Sequence, residues 1–175
     1  MSLLGGKVPA DVRERARLSR GERVLAGAAA GDDTWLIGTR DALVIVTADH
    51  STRVPWERVE TADWDRDQER LRVAEVGEFG RPRPVHTFTM TEPRRLLQLV
   101  RERVTASVVM QRRVVVGGRR GVLVIGRRPP RGDGEISWAC EYDEGVDPDD
   151  PTVRLVVDEA LAAAQGEVGP GPVPL

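Results

Sequence analysis

Residues 35–46 read WLIGTRDALVIV, and the two apolar runs in this stretch set the fold of the surrounding chain. The runs Trp35–Gly38 and Ala42–Thr47 are each long enough for a strand and too short for a helix. Three polar residues separate them, so the stretch predicts two neighbouring strands joined as a hairpin.

The chain is predicted to bend in the segment Arg53–Asp65, which reads RVPWERVETADWD. Apolar and polar residues alternate up to Trp56, and the alternation resumes in a shifted register with Ala62 and Trp64 on one face. Pro55 lies just before the shift. A proline next to a register shift indicates a bend or bulge in an edge strand.

More strands and one amphipathic helix complete this region. Strands are predicted at Arg23–Ala29, Arg70–Val76 and Val85–Met90. The helix follows them, because Thr91 is a favourable N-cap and Pro93 fits a first helical turn. Its apolar stripe is Leu97, Val100, Val104 and Val108. Strands followed by one helix predict an α+β fold with an antiparallel sheet.

The order of these elements resembles the bacterial pleckstrin-homology-like domains, and most of all the actinobacterial versions of unassigned function. The Val54–Val59 step between two strands carries much of the resemblance, which covers about Gly21 to Gln111. It implies a strongly bent antiparallel sheet, close to a barrel, that is closed at one end by the helix beginning near Pro93. It implies no catalytic residue.

Three segments flank the predicted domain, which spans residues 21–112. Residues 1–20 form a leader with a short surface helix, and residues 113–166 form a ββα extension packed on the domain. Residues 167–175 are rich in glycine and proline and are predicted to be a disordered tail.

The extension contains the clearest single strand of the chain, Ile136–Tyr142, which alternates with a period of two. The runs Val114–Val116 and Val122–Ile125 precede it as one or two strands. The helix Pro148–Gln165 follows it and is predicted to end at Gly166.

Composition excludes several classes of protein. The 175-residue chain has one cysteine, Cys140, so it has no internal disulfide and no multi-cysteine zinc site. We find no signal peptide or membrane span in the sequence, and we therefore expect a cytoplasmic protein.

Charge is divided sharply along the chain. The segment Arg94–Arg131 contains eleven arginines and one acid, a net charge of +10, whereas Gly132–Leu175 contains eleven acids and one base, a net charge of −10. Arginine enrichment alone is typical of a GC-rich bacterial genome, but such a bias spreads arginine evenly. We expect arginines of residues 112–131 to pair with acids of residues 141–159.

No motif predicts a catalytic, metal or cofactor site. His86 as a general base and Cys140 as a nucleophile are each less favoured than a structural role, since neither has a partner at a suitable spacing. Glu57, Asp63 and His86 are the acid–base candidates of an enzyme, but no pattern joins them. Gly117 and Gly118 suit a hairpin turn and lack the residues of a phosphate loop.

Acid clusters are better explained by turns and helix caps than by metal ions. Asp63, Asp65 and Asp67 alternate like the start of a calcium loop, but a calcium loop needs a glycine and an acid where Gln68 and Ala74 stand. The acids of EYDEGVDPDD, residues 141–150, lie at a helix start; metal binding is the less favoured alternative.

The sequence therefore predicts a non-enzymatic binding module, acting on a protein partner or on itself through a sheet edge, a groove or charged faces. A nucleic-acid-binding protein that uses residues 94–131 is the alternative, although the segment has no aromatic residue for base stacking. In either case the candidate partner or anion surface is Arg112, Arg113, Arg119, Arg120, Arg127 and Arg128.

Phosphoinositide is an unfavoured ligand. In lipid-binding pleckstrin-homology domains the basic residues cluster between the first two strands, whereas here that loop is Ala30–Asp33, with two aspartates.

Overall fold

The computed structural model describes residues 8–31, 33–77, 83–91, 93–132 and 134–168. Within these ranges the chain forms three α-helices, ten strands and a single 3₁₀ turn. They divide between two compact units, Met1–Ala106 and Ser107–Leu175.

The first unit contains two antiparallel sheets and two helices. Its elements are α1 (Ala10–Arg15), β1 (Ala26–Ala29), β2 (Trp35–Gly38), β3 (Ala42–Val46), β4 (Ser51–Pro55), the 3₁₀ turn Trp56–Arg58, β5 (Val59–Asp65), β6 (Arg70–Glu75), β7 (Val85–Thr89) and α2 (Arg94–Ser107), whose last residue opens the second unit. The strands are ordered β1–β2–β3–β4 in one sheet and β5–β6–β7 in the other.

The prediction of an α+β fold with antiparallel sheets is confirmed. One continuous bent sheet is not found, because the described strands form three separate sheets and no closed barrel. The separation between β4 and β5 occurs where the sequence predicted a bend. The 3₁₀ turn Trp56–Arg58 follows Pro55, and the register of β5 shifts between Val59 and Thr61.

Trp56 anchors this bend to the first hairpin. Its side chain is completely buried, and the indole N–H donates a hydrogen bond to the Thr39 carbonyl oxygen at 3.1 Å. The Thr39 side chain is buried too, and its hydroxyl donates to a carboxylate oxygen of Glu22 at 2.5 Å. Arg53 on β4 donates to the other Glu22 oxygen at 2.8 Å. Because the Trp56 indole and the Thr39 side chain are buried, an arrangement of the strands that separated them from these partners would leave buried polar groups unpaired.

Glu22 remains a carboxylate despite its burial. Burial alone raises its pKa, but hydrogen bonds from Thr39, Arg53 and the Ser19 backbone N–H outweigh that effect and leave the pKa below its ordinary value. The leader is thereby fixed to the first sheet by a charged group.

The main core lies between the two sheets and α2. Leu96, Leu99 and Val100 are the buried apolar residues of α2, and the partly buried Leu97 and Val104 pack against the same core. The predicted stripe is thus confirmed at Leu97, Val100 and Val104, but it omitted Leu96 and Leu99 and was wrong at Val108, which belongs to a strand. The reason is that the sheets contact a broader face of the helix than a single row of residues.

Helix α1 covers the opposite face of the first sheet, as its predicted surface position requires. Val12 and Ala16 of this helix pack with Ile37 on β2 and with Val44 on β3. Both faces of the first sheet are therefore buried, which explains why β3 is apolar at every position.

The second unit is a three-stranded antiparallel sheet with one helix. Its elements are β8 (Val108–Gly117), β9 (Arg120–Arg127), β10 (Ser137–Tyr142) and α3 (Pro151–Val168), with the strand order β10–β9–β8. The predicted ββα extension of residues 113–166 thus gains residues 108–112 as the start of its first strand. It has three strands, and α3 continues past Gly166.

Residues 169–175 of the predicted tail lie outside the described residues. Two residues of that prediction, Glu167 and Val168, are helical in α3.

We predict that Trp56→Phe lowers the free energy of unfolding by about 2 kcal/mol or more, because it removes a buried hydrogen bond and part of a buried ring. Urea unfolding measures this loss. Trp64→Phe is the matched control, since Trp64 is only half-buried and its indole has no hydrogen bond to a described residue. Equal losses in the two variants would contradict the prediction.

Candidate functional site

The six predicted surface arginines all lie in the second unit. Arg112 and Arg113 are on β8, Arg119 is in the β8–β9 turn, Arg120 and Arg127 are on β9, and Arg128 follows that strand. The turn is tight, with Gly118 at a φ of 59°, as the glycine pair predicted.

Arg113 forms the clearest ion pair of this group. Its guanidinium donates to both carboxylate oxygens of Asp143, with 3.1 Å between Nη1 and Oδ1. The Gly121 backbone N–H also donates to Asp143, at 2.8 Å. The hydrogen bond from Arg113, followed by that from Gly121, lowers the pKa of Asp143. This pair confirms, for Arg113, the predicted pairing between residues 112–131 and residues 141–159.

Two more of the arginines are held by nearby oxygens. Arg112 pairs with Glu167 near the end of α3, a partner beyond the predicted acidic segment. Arg120 donates to the Gly145 carbonyl oxygen at 2.8 Å. Arg119 is exposed and makes no hydrogen bond or ion pair with a described residue.

The last two arginines, Arg127 and Arg128, are buried and half-buried, respectively. Arg127 is 5% exposed and donates to the Ser107 hydroxyl at 3.1 Å. Arg128 is half-buried, and its Nε has no hydrogen-bond partner among the described residues. The six arginines therefore do not form a single exposed basic face.

The histidines have structural neighbours. Nε2 of His86 lies 2.8 Å from a carboxylate oxygen of Glu75, and its ring stacks on Phe88 with 6.3 Å between centroids. Nδ1 of His50 lies 2.9 Å from the Thr47 hydroxyl. Across the described parts of the chain, no three His, Cys, Asp or Glu residues are grouped so that they could hold a metal ion.

The acid clusters act in turns and caps, as predicted. Asp65 accepts the backbone N–H groups of Asp67 and Gln68, each at 3.0 Å, and so closes the β5–β6 hairpin. Asp150 accepts the backbone N–H of Thr152 at 2.7 Å and caps α3. In the β1–β2 loop, Asp32 lies outside the described residues.

Cys140 shares a face with Trp138, and both pack towards α3. Burial raises the pKa of the Cys140 thiol, and the nearby negative charge of Asp158 raises it further. A thiol with a raised pKa forms little thiolate near neutral pH, which disfavours a nucleophilic role.

The first unit contains a groove that the sequence did not predict. It has a volume of about 480 Å³ and is lined by Trp64, Arg66, Glu69, Pro93, Arg94 and Leu97. Trp64 enters it from the end of β5 and Leu97 from the start of α2, and both pack against the main core. In the sequence, the alternation of Ala62 and Trp64 indicates that Trp64 faces the core, but it does not indicate that α2 lies beside Trp64 and forms a groove with it.

Strand pairing and one backbone hydrogen bond position the residues around this groove. Trp64, Leu71 and Phe88 form one cross-strand row over β5, β6 and β7. Glu69 closes the hairpin with a left-handed backbone, φ 48°, and its carbonyl oxygen accepts the Met90 N–H at 2.8 Å.

Comparison of the chain with protein-family models, with curated proteins and with solved structures returns no match. Among the helices of the described residues, none combines the length and the apolarity needed to cross a membrane.

We predict that the Asp143 carboxyl titrates below the ordinary aspartate value, and that Arg113→Gln raises its midpoint by removing the main hydrogen bond. Because the folded pKa is lowered, the stabilisation from this pair is present above the ordinary pKa and is lost as the pH falls through the folded pKa. Carboxyl ¹³C NMR titration measures the midpoint. Arg119→Gln is the control and should leave it unchanged; an unshifted midpoint in Arg113→Gln would contradict the assignment.

We also predict that iodoacetamide alkylates Cys140 at pH 8 at least about tenfold more slowly in the native protein than in urea, because of its burial and raised pKa. Mass spectrometry over time gives both rates. Equal rates would show that the thiol is freely accessible.

Proposed function

We propose that this chain is a non-enzymatic protein-binding module and that its first unit is a pleckstrin-homology-like domain. The order of four strands, a bend, three strands and a helix supports this assignment. The bend coincides with the Val54–Val59 step on which the sequence resemblance rests. We propose a cytoplasmic location for it.

The groove beside β5 is the observation that carries the binding proposal. Small-molecule and side-chain pockets usually have volumes of about 300–1,000 Å³, and this groove lies in that range. Its lining combines the apolar Trp64, Pro93 and Leu97 with the charged Arg66, Glu69 and Arg94. The neighbouring strand β5 is at an edge, with one strand partner among the described residues. An extended segment of a partner protein can add to such an edge and place side chains in the adjacent groove.

Nucleic acid receives less support as the ligand. Phosphate binding needs several basic side chains free on one surface. In the second unit Arg113 is neutralised by Asp143, Arg112 by Glu167, and Arg127 is buried.

The proposal is tested by selecting peptides from a random dodecapeptide library with the whole chain. The enriched peptides are then labelled and their affinities measured by fluorescence anisotropy. We expect Trp64→Ala to weaken binding at least about tenfold, because it removes the floor of the groove. Phe88→Ala is the matched control: it is half-buried in the same cross-strand row but does not line the groove, so it should change affinity by less than about threefold.

Circular dichroism of both variants separates lost binding from lost folding. NMR titration of the chain with a bound peptide locates the contact by its backbone amide shifts. The proposal would be overturned if the peptides bound Trp64→Ala as tightly as the original chain, or if the amide shifts were confined to the second unit.

A further inference from the structure

The outer side of β5 carries acids at alternate positions. Ala62 and Trp64 face the core, so Thr61, Asp63 and Asp65 lie on the opposite face of the strand. Both aspartates are exposed. The acids therefore lie along the edge to which a further strand can add.

The second strand of this sheet presents the opposite charge. Asp63 is paired in register with Arg72, and Asp65 with Arg70. The third strand presents threonines, since Thr87 follows Arg72 in register. The outer face of this sheet is thus acidic on β5, basic on β6 and neutral on β7. Asp63 makes no direct ion pair with any residue the structure describes, although Arg72 lies opposite it in register, so its carboxylate oxygens can accept hydrogen bonds from a basic side chain on an added strand.

We propose that the segment that adds to β5 alternates basic and apolar side chains, a conclusion that rests on the proposed function of this edge. Its apolar side chains enter the groove towards Trp64 and Leu97. Its lysines or arginines lie on the outer side, opposite Asp63 and Asp65. Opposite charges directly across neighbouring strands stabilise the pairing, by about 1.4- to fivefold in affinity for each pair, and like charges oppose it.

The groove rim does not reverse this preference. Arg66 follows the last residue of β5 and Arg94 lies on α2, so neither belongs to the outer side of β5 that carries Asp63 and Asp65. The β5 edge of a second copy is also excluded as the partner, because it would place the same aspartates opposite one another.

Acids on an edge strand also prevent unwanted association between sheets. That role alone predicts that no peptide binds at the β5 edge, not even one with lysines opposite the aspartates. A comparison of three peptides therefore separates the two explanations.

The test uses three labelled octapeptides with the same alternating apolar residues and with lysine, serine or glutamate at the positions between. Anisotropy with the whole chain at about 0.05 M and 0.5 M salt gives each affinity. We expect the lysine peptide to bind at least about threefold more tightly than the serine peptide and about tenfold more tightly than the glutamate peptide at low salt, with the differences reduced at high salt.

Asp63→Lys should largely remove the preference for the lysine peptide over the glutamate peptide, because it leaves one acid and one base on the outer side of β5. Asp49→Lys makes the same charge change in the β3–β4 turn of the other sheet and should leave the order intact. Equal affinities for the three peptides, all lost in Trp64→Ala, would overturn this inference and leave the proposed function standing. No binding by any peptide, or binding that Trp64→Ala does not weaken, would overturn both.

Discussion

The hydrogen bond from the buried Trp56 indole to the Thr39 carbonyl is the constraint on which the first unit depends. It fixes the point where the chain leaves one sheet and enters the other. Thr39 also binds Glu22, which binds Arg53, so the leader, the first hairpin and β4 meet at one buried network. Leaving the buried Trp56 N–H or the Thr39 hydroxyl unpaired would cost about 1–3 kcal/mol, which favours this arrangement of the bend.

The position of the groove follows from that bend. Once β5 starts a new sheet, its last residues reach the first turn of α2, and Trp64 comes to lie near Leu97. A close approach of backbone and helix elsewhere in this core is allowed by Gly38, where a side chain would lie 2.5 Å from Leu99. The proposed binding edge is thus a consequence of how the two sheets share one helix.

Part of the charge asymmetry of the sequence is paired within the second unit. Arg113 on β8 reaches across the central strand β9 to Asp143, which directly follows β10. Such exposed pairs contribute about 0–1 kcal/mol each, and they remove charge that a polyanion would otherwise use. Arg113, which the sequence placed on a candidate anion surface, therefore forms an ion pair within its own unit.

The sequence alone determined the antiparallel α+β class, most strands, the bend at Pro55, the turn at Asp65 and a helix cap among the acids of residues 147–150, because these depend on local periodicity and short-range hydrogen bonds. Only the tertiary structure decided that Val108 begins a strand, since its spacing suits helix and strand alike. Tertiary structure also decided the arginine partners and the groove at Trp64. These depend on residues far apart in the chain, whose approach is fixed by packing and not by any local pattern.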